Sequence, residues 1–133
     1  MQEQRKFTMR KKPAVAVVVL FVVAALSSAA VAQKSTVLRV VTVKTDNPAA
    51  YVQEIEKGRQ LMKSMGIQAQ TRVWQARFAG PEAGTIVVSI EYASMAAFSD
   101  AYAKTSASTD YQNWLKDLDK VRKIVSDSLY SEW

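Results

Sequence analysis

The chain has 133 residues, with 18 basic and 12 acidic side chains, and it contains neither histidine nor cysteine. Without histidine, Ser–His–Asp and Cys–His catalysis, zinc sites of the usual kind and the usual haem ligand are excluded; without cysteine, packing or oligomerisation must supply the stability that disulfides give many small exported domains. Five of the 18 basic residues and one of the 12 acidic ones precede residue 33, so the remainder carries only +2 with its cations scattered, and the charge gives no ground for nucleic-acid binding.

The N-terminus reads as an export signal. Arg5, Lys6, Arg10, Lys11 and Lys12 form a basic start, Ala14 to Leu26 is an uncharged apolar run, and Ala30 and Ala32 make an A-x-A site. Cleavage after Ala32 is expected, which places the mature protein in the periplasm or outside the cell. The competing reading is an uncleaved N-terminal membrane anchor, because residues 13–32 approach the ~20 residues that span a bilayer. With no cysteine at the cleavage point, a lipoprotein is excluded. The division is therefore a signal peptide over 1–32 and one α+β domain over 33–133, about the size that supports a single core.

Thr36 to Thr45 is rich in β-branched residues and predicts strand one. Val37, Val41 and Val43 fall on one side of it and Leu38 and Val40 on the other, and a strand apolar on both sides is usually central. Asn47 is placed to cap a helix with Pro48 at its first position. That helix runs to about Met65 with a stripe of Tyr51, Ile55, Gly58, Met62 and Met65, and Gly66 stops it. Gly58 costs about 1 kcal/mol against alanine, and a close approach to the sheet is expected to offset this.

Ala69 to Phe78 predicts strand two, polar enough for an edge. Gly80 to Gly84 is a turn by composition and leads into strand three, Thr85 to Ser94, so these two strands form a hairpin. Strand three alternates cleanly: Ile86, Val88, Ile90 and Tyr92 on one side, Thr85, Val87, Ser89 and Glu91 on the other. Ser94 caps a second helix with Met95, Phe98, Ala101 and Tyr102 toward the sheet. Thr105 to Ser108 is expected to interrupt it, and Thr109 or Asp110 to restart a turn or two through Leu118, with Tyr111, Trp114 and Leu115 apolar. Ile124 to Tyr130 is the last strand.

The order is β-α-β-β-α-β, a ferredoxin-like split repeat: a four-stranded antiparallel sheet with strands one and three central and two helices on one face. Ile86, Val88, Ile90 and Tyr92 are expected under the helices. The opposite face is expected to carry Val87 and Glu91 together with Arg39, Val41 and Val43. Exposed apolar sheet surface of this extent usually meets a partner, and two such sheets face to face would enclose a space in a symmetric homodimer.

The VLRVVTVK strand with Asn47-Pro48, the IEYAS junction with Phe98 and the closing SDSLYSEW resemble the dimeric α+β barrel superfamily over essentially the whole mature domain. In layout the chain is most similar to NIPSNAP-type and antibiotic-biosynthesis-monooxygenase-like domains. The resemblance implies a homodimer with a cavity between the sheets. Members include cofactor-free oxygenases, isomerases, haem proteins and domains of no known activity. Several enzymatic branches rely on a histidine that this chain does not have, so those activities do not carry over.

Glu91 is the candidate catalytic residue. A carboxylate enclosed in a cavity becomes a base, whereas a neighbouring cation holds it ionised, and Arg39 is the expected neighbour; the competing role for both is a plain interface salt bridge. Trp74, Gln75 and Arg77 on strand two are ligand-binding candidates. Trp74 and Gln75 point to opposite faces, so only one can line the cavity, and Trp74 offers a stacking surface that packing would equally explain. Asn47 is a further candidate, with capping as its sufficient alternative. Tyr102, Tyr111 and Trp114 have the spacing of packing residues. No P-loop, dinucleotide fingerprint, nucleophile elbow or calcium loop occurs; no cofactor and no metal site is expected.

Three functions follow: binding of a small, partly apolar molecule in an inter-sheet cavity, a cofactor-independent oxygenase or isomerase, and a non-enzymatic interaction module of the cell envelope, membrane-attached only through an uncleaved leader.

Overall fold

The computed structural model describes residues 35–133; the leader expected over 1–32 lies outside them. No helix among the described residues is long and apolar enough to cross a membrane. The elements are β1 (Val37–Lys44), α1 (Pro48–Ser64), β2 (Gln70–Gln75), a short 3₁₀ turn (Gly80–Glu82), β3 (Ile86–Tyr92), α2 (Met95–Ala107), α3 (Thr109–Asp119) and β4 (Lys123–Ser131). The four strands form one antiparallel sheet in the order β2-β3-β1-β4. This is the ferredoxin-like α+β arrangement, with β1 and β3 central and the second helical segment split in two.

Side chains set the helix boundaries. Asn47 Oδ1 accepts the Ala50 amide at 3.1 Å, and Pro48 opens α1 at a position where a missing N–H costs nothing. At the other end Gly66 takes φ 72°, and the Ile67 amide turns back to the Met62 carbonyl at 3.0 Å. Ser94 Oγ caps α2 through the Ala97 amide at 3.1 Å.

The break between α2 and α3 is sharper than the sequence predicts. Thr105 to Ala107 stay helical, because the Thr105 hydroxyl bonds back to the Ala101 carbonyl at 3.0 Å and so does not compete with the backbone ladder. Ser108 alone ends α2 and caps α3, accepting the Tyr111 amide at 3.2 Å, and α3 then runs for 11 residues.

The register of β1 against β3 corrects the expected face assignment. Val41 lies opposite Val88, Val43 opposite Ile86 and Arg39 opposite Ile90. Directly opposed residues share a face, so Arg39, Val41 and Val43 point toward the helices together with Ile86, Val88, Ile90 and Tyr92. The open face carries Leu38, Val40 and Thr42 against Glu91, Ser89 and Val87. The odd-numbered side of β1 is the one that packs: Val37 and Val43 are fully buried and Val41 nearly so.

The core has two joined parts on the helix side. Val41, Val43, Tyr51, Ile55, Ile86, Val88 and Leu118 form one; Val37, Met62, Tyr92, Ala101 and Tyr111 form the other. Trp114 packs against both. Gly58 serves that tryptophan and not the sheet, since a Cβ at position 58 would lie 2.3 Å from Trp114 Cζ2. The indole Nε1–H donates to the Glu54 carbonyl at 2.8 Å and fixes α3 against α1.

β4 is an edge strand whose register against β1 shifts between Thr42 and Val43. It is exposed over most of its length. Ile124, opposite Val43, and Leu129, opposite Arg39, leave apolar surface uncovered on the helix side.

Candidate functional site

A cleft opens on the helix side of the sheet where α1, α3 and β4 meet. Its volume is about 50 Å³, and its polar lining comes from Arg39, Tyr51, Tyr111, Trp114, Arg122 and Asp127. Arg39 on β1 reaches diagonally to Asp127 on β4 in a two-point ion pair, with Nε to Oδ1 at 2.9 Å and Nη2 to Oδ2 at 2.5 Å. The hydrogen bonds from Arg39 hold the Asp127 carboxyl below its ordinary pKa, and the same pairing raises Arg39.

Tyr51 is the unusual member. The residue is fully buried, yet its hydroxyl has no hydrogen-bond partner. Burial raises its pKa, and Arg122 lies close enough to oppose that shift without making a bond of acceptable geometry. Arg122 itself is largely buried, with its Nε–H donating to Asp119 Oδ1 at 2.9 Å. A buried donor left without a partner costs about 1–3 kcal/mol. Tyr111 and Trp114, with ring centroids 4.9 Å apart, form the α3 wall, and burial raises the Tyr111 pKa.

The candidates from the sequence are distributed differently from the expectation. Arg39 and Glu91 are not brought together: they stand on opposite faces, because Arg39 opposes Ile90 and Leu38 opposes Glu91. Glu91 meets Arg72 instead, at 3.5 Å and with both side chains well exposed. Trp74 is the strand-two residue on the open face; it is 53% exposed, and its indole N–H donates to Ser89 Oγ at 2.9 Å. Gln75 takes the helix side opposite Ile86 at the end of β2. Arg77 lies beyond β2 in the exposed connection to β3. Asn47 fills its capping role.

Tyr51, Arg122 and Asp127 escaped the sequence reading. Tyr51 sits in an apolar helical stripe, where a core residue is the simplest account. Asp127 does stand out as an acid amid the last strand, but pairing it with Arg39 requires the register of β4, which the shift at Thr42/Val43 alters.

Two solved structures share this architecture. SnoaB, a cofactor-independent oxygenase from Streptomyces nogalater, aligns with a TM-score of 0.58 at 12% identity, over 74% of this chain and 94% of that one. An asparagine-to-alanine mutant of the same protein aligns with a TM-score of 0.56 at 12% identity, over 71% and 90%. The chain shares the ferredoxin-like α+β fold of these structures. At this identity the likeness is one of fold, which by itself assigns no chemistry. No family model and no curated protein matches the sequence.

The sheet face turned away from the helices mixes apolar and polar groups. Leu38, Val40, Val87, Trp74 and Tyr130 supply the apolar part by register. The hydroxyls of Thr42 and Ser89 lie among them, and the Arg72–Glu91 pair marks one corner. Among the described residues no group of three or more acidic, histidine or cysteine side chains is placed to hold a metal ion.

Proposed function

We propose that this protein is an exported, homodimeric domain that binds a small, partly apolar molecule, with the ligand's polar end in the sheet–helix cleft. The unpartnered Tyr51 hydroxyl, buried in the same cleft as the Arg39–Asp127 pair, carries this reading. A cleft of about 50 Å³ accepts a few heavy atoms, well below the usual 300–1,000 Å³ of a complete ligand site. The ligand's apolar body then lies along Ile124 and Leu129 on the uncovered side of β4. The open faces of two sheets form the dimer, and the basic-apolar leader with Ala30 and Ala32 supports export.

The sequence placed the ligand between the two sheets. Arg39 lies on the other face of β1, where it pairs with Asp127. The reading is tested by titrating the protein with phenol and with benzoate under ¹⁵N-resolved NMR. Saturable shifts at Arg39, Tyr51 and Tyr111 are expected. A response confined to Trp74 and Val87 would return the ligand to the inter-sheet space, and no saturable response to either probe would sink the binding role.

The fold likeness to SnoaB supports a second reading, a cofactor-independent oxygenase or isomerase. Against it stands the separation of its two candidate residues: Glu91 and Arg39 lie on opposite faces of the sheet, and Glu91 meets Arg72 at the exposed surface. Oxygen uptake dependent on a bound ligand and abolished by Glu91→Gln would reverse this preference. The third reading, a tethered envelope module, is decided by mass spectrometry of the isolated protein: a Gln33 N-terminus rejects the tether.

A further inference from the structure

A second pocket, of about 420 Å³, lies at the end of the sheet where the β1–α1 and α3–β4 connections meet. Four cations line it: Lys44, Lys120, Arg122 and Lys123. Of these, Lys120 is held by Asp117 at 2.7 Å and Arg122 by Asp119 at 2.9 Å. Lys44 and Lys123 have no ion-pair partner among the described residues, and Asp46 is the one carboxylate in the lining.

Lys44 and Lys123 also stand directly opposite each other across β1 and β4. Like charges at opposed positions of an antiparallel ladder destabilise the pairing, and nothing in the packing of this exposed end requires two lysines there. The two connections are nevertheless tied into a defined shape. The Thr45 hydroxyl donates to the Val121 carbonyl at 2.7 Å, and the Asn47 amide donates to Thr45 Oγ1 at 3.1 Å. The Ala50 and Tyr51 amides at the start of α1 are already engaged by Asn47.

We infer that this pocket is a binding site for a phosphate-type oxyanion, held between the Lys44 and Lys123 ammonium groups. A dianion there converts the repulsive lysine pair into two attractive contacts. The volume exceeds that of a bare phosphate, so the anion belongs either to a free phosphorylated small molecule or to the headgroup of an anionic lipid. The site is distinct from the sheet–helix cleft and touches it only through Arg122, which lines both. It does not rest on the binding function proposed for that cleft.

The test uses the protein as isolated, with its own N-terminus. Inorganic phosphate is titrated at constant ionic strength against a chloride control, with amide shifts and thermal midpoint as readouts. In parallel, co-sedimentation with phosphatidylglycerol vesicles is compared with neutral phosphatidylcholine vesicles. Saturable shifts over Lys44 to Asn47 and Lys120 to Lys123, absent with chloride, are expected, and they mark a free-anion site. Co-sedimentation with phosphatidylglycerol alone, without saturable phosphate shifts, assigns the site to a lipid headgroup. In either case the Lys44→Gln/Lys123→Gln variant weakens the interaction by about tenfold and, without phosphate, has a midpoint no lower than that of the parent. Shifts that chloride reproduces, that spread over all surface lysines, or that survive the double substitution overturn the inference, as does the absence of both phosphate and vesicle binding.

Discussion

Arg39 and Asp127 meet through two hydrogen bonds on the helix side of the sheet, one from a central strand and one from the edge strand beside it. The pair joins β4 to the rest of the domain and sets the charge of the cleft. Both side chains are about a third exposed, so solvent screening limits their worth to about 0.5–1 kcal/mol. Asp127→Asn should therefore lower unfolding stability near neutral pH by that amount in urea titrations. The sign with pH follows from the depressed Asp127 pKa: its contribution is present above the ordinary carboxylate value of about 3.9 and is lost as pH falls through the folded-state value. The stability difference between parent and variant should close in acid; a difference that persists would remove the ion pair as its cause.

Tyr51→Phe separates stability from function. Removing a buried hydroxyl that has no partner should leave the ligand-free protein as stable as the parent, or more stable by up to about 1–2 kcal/mol. Affinity for a phenol or carboxylate probe should fall in the same variant. A large loss of stability on removing the hydroxyl would show that it has a partner in solution, and the cleft would lose its main claim to a ligand.

Burial raises the pKa of Tyr51, Tyr92 and Tyr111 above the ordinary phenol value of 10.0. Their contribution to stability is fully present below that value, and it is lost as pH rises through the folded-state values, because the unfolded phenols ionise first. Alkaline unfolding should set in above about pH 10, with a late, cooperative group of tyrosines in the ultraviolet phenolate signal. Five tyrosines titrating together at the ordinary value would contradict the packing described.

Gly58→Ala sets helix propensity against packing. The methyl group gains about 1 kcal/mol for α1, but it would sit 2.3 Å from the Trp114 ring, and overpacking of this kind costs about 1–3 kcal/mol. A net loss of up to about 2 kcal/mol is expected. In a Trp114→Leu background the same substitution should become neutral or stabilising, and equal effects in the two backgrounds would show that the ring is not the obstacle.

Two copies joined through their open faces should appear as a dimer by light scattering at micromolar concentration. Val87→Glu places a charge at the centre of that face, opposite Thr42 and Trp74, and should shift the protein to monomer while leaving its circular dichroism unchanged. A parent protein that is monomeric throughout would end the dimer proposal.

Local chemistry was largely legible in the sequence. The alternation of Ile86 to Tyr92, the Asn47-Pro48 and Ser94 helix starts and the glycine stop at Gly66 depend on residues within one turn or one strand of each other. The sequence therefore determined the elements, their order and the α+β fold class. The faces of β1 were a different matter, since both are apolar and periodicity cannot say which one packs. That was settled by pairing with β3, which left Glu91 to Arg72 on the far face, while pairing with β4 put Arg39 beside Asp127. The tertiary structure likewise turned Tyr51 from a core residue into an unpartnered hydroxyl, and Gly58 from a gap beneath the sheet into the seat of Trp114. Periodicity is a property of one segment, whereas register and packing are relations between segments far apart in the chain; only the folded structure could decide which polar groups meet.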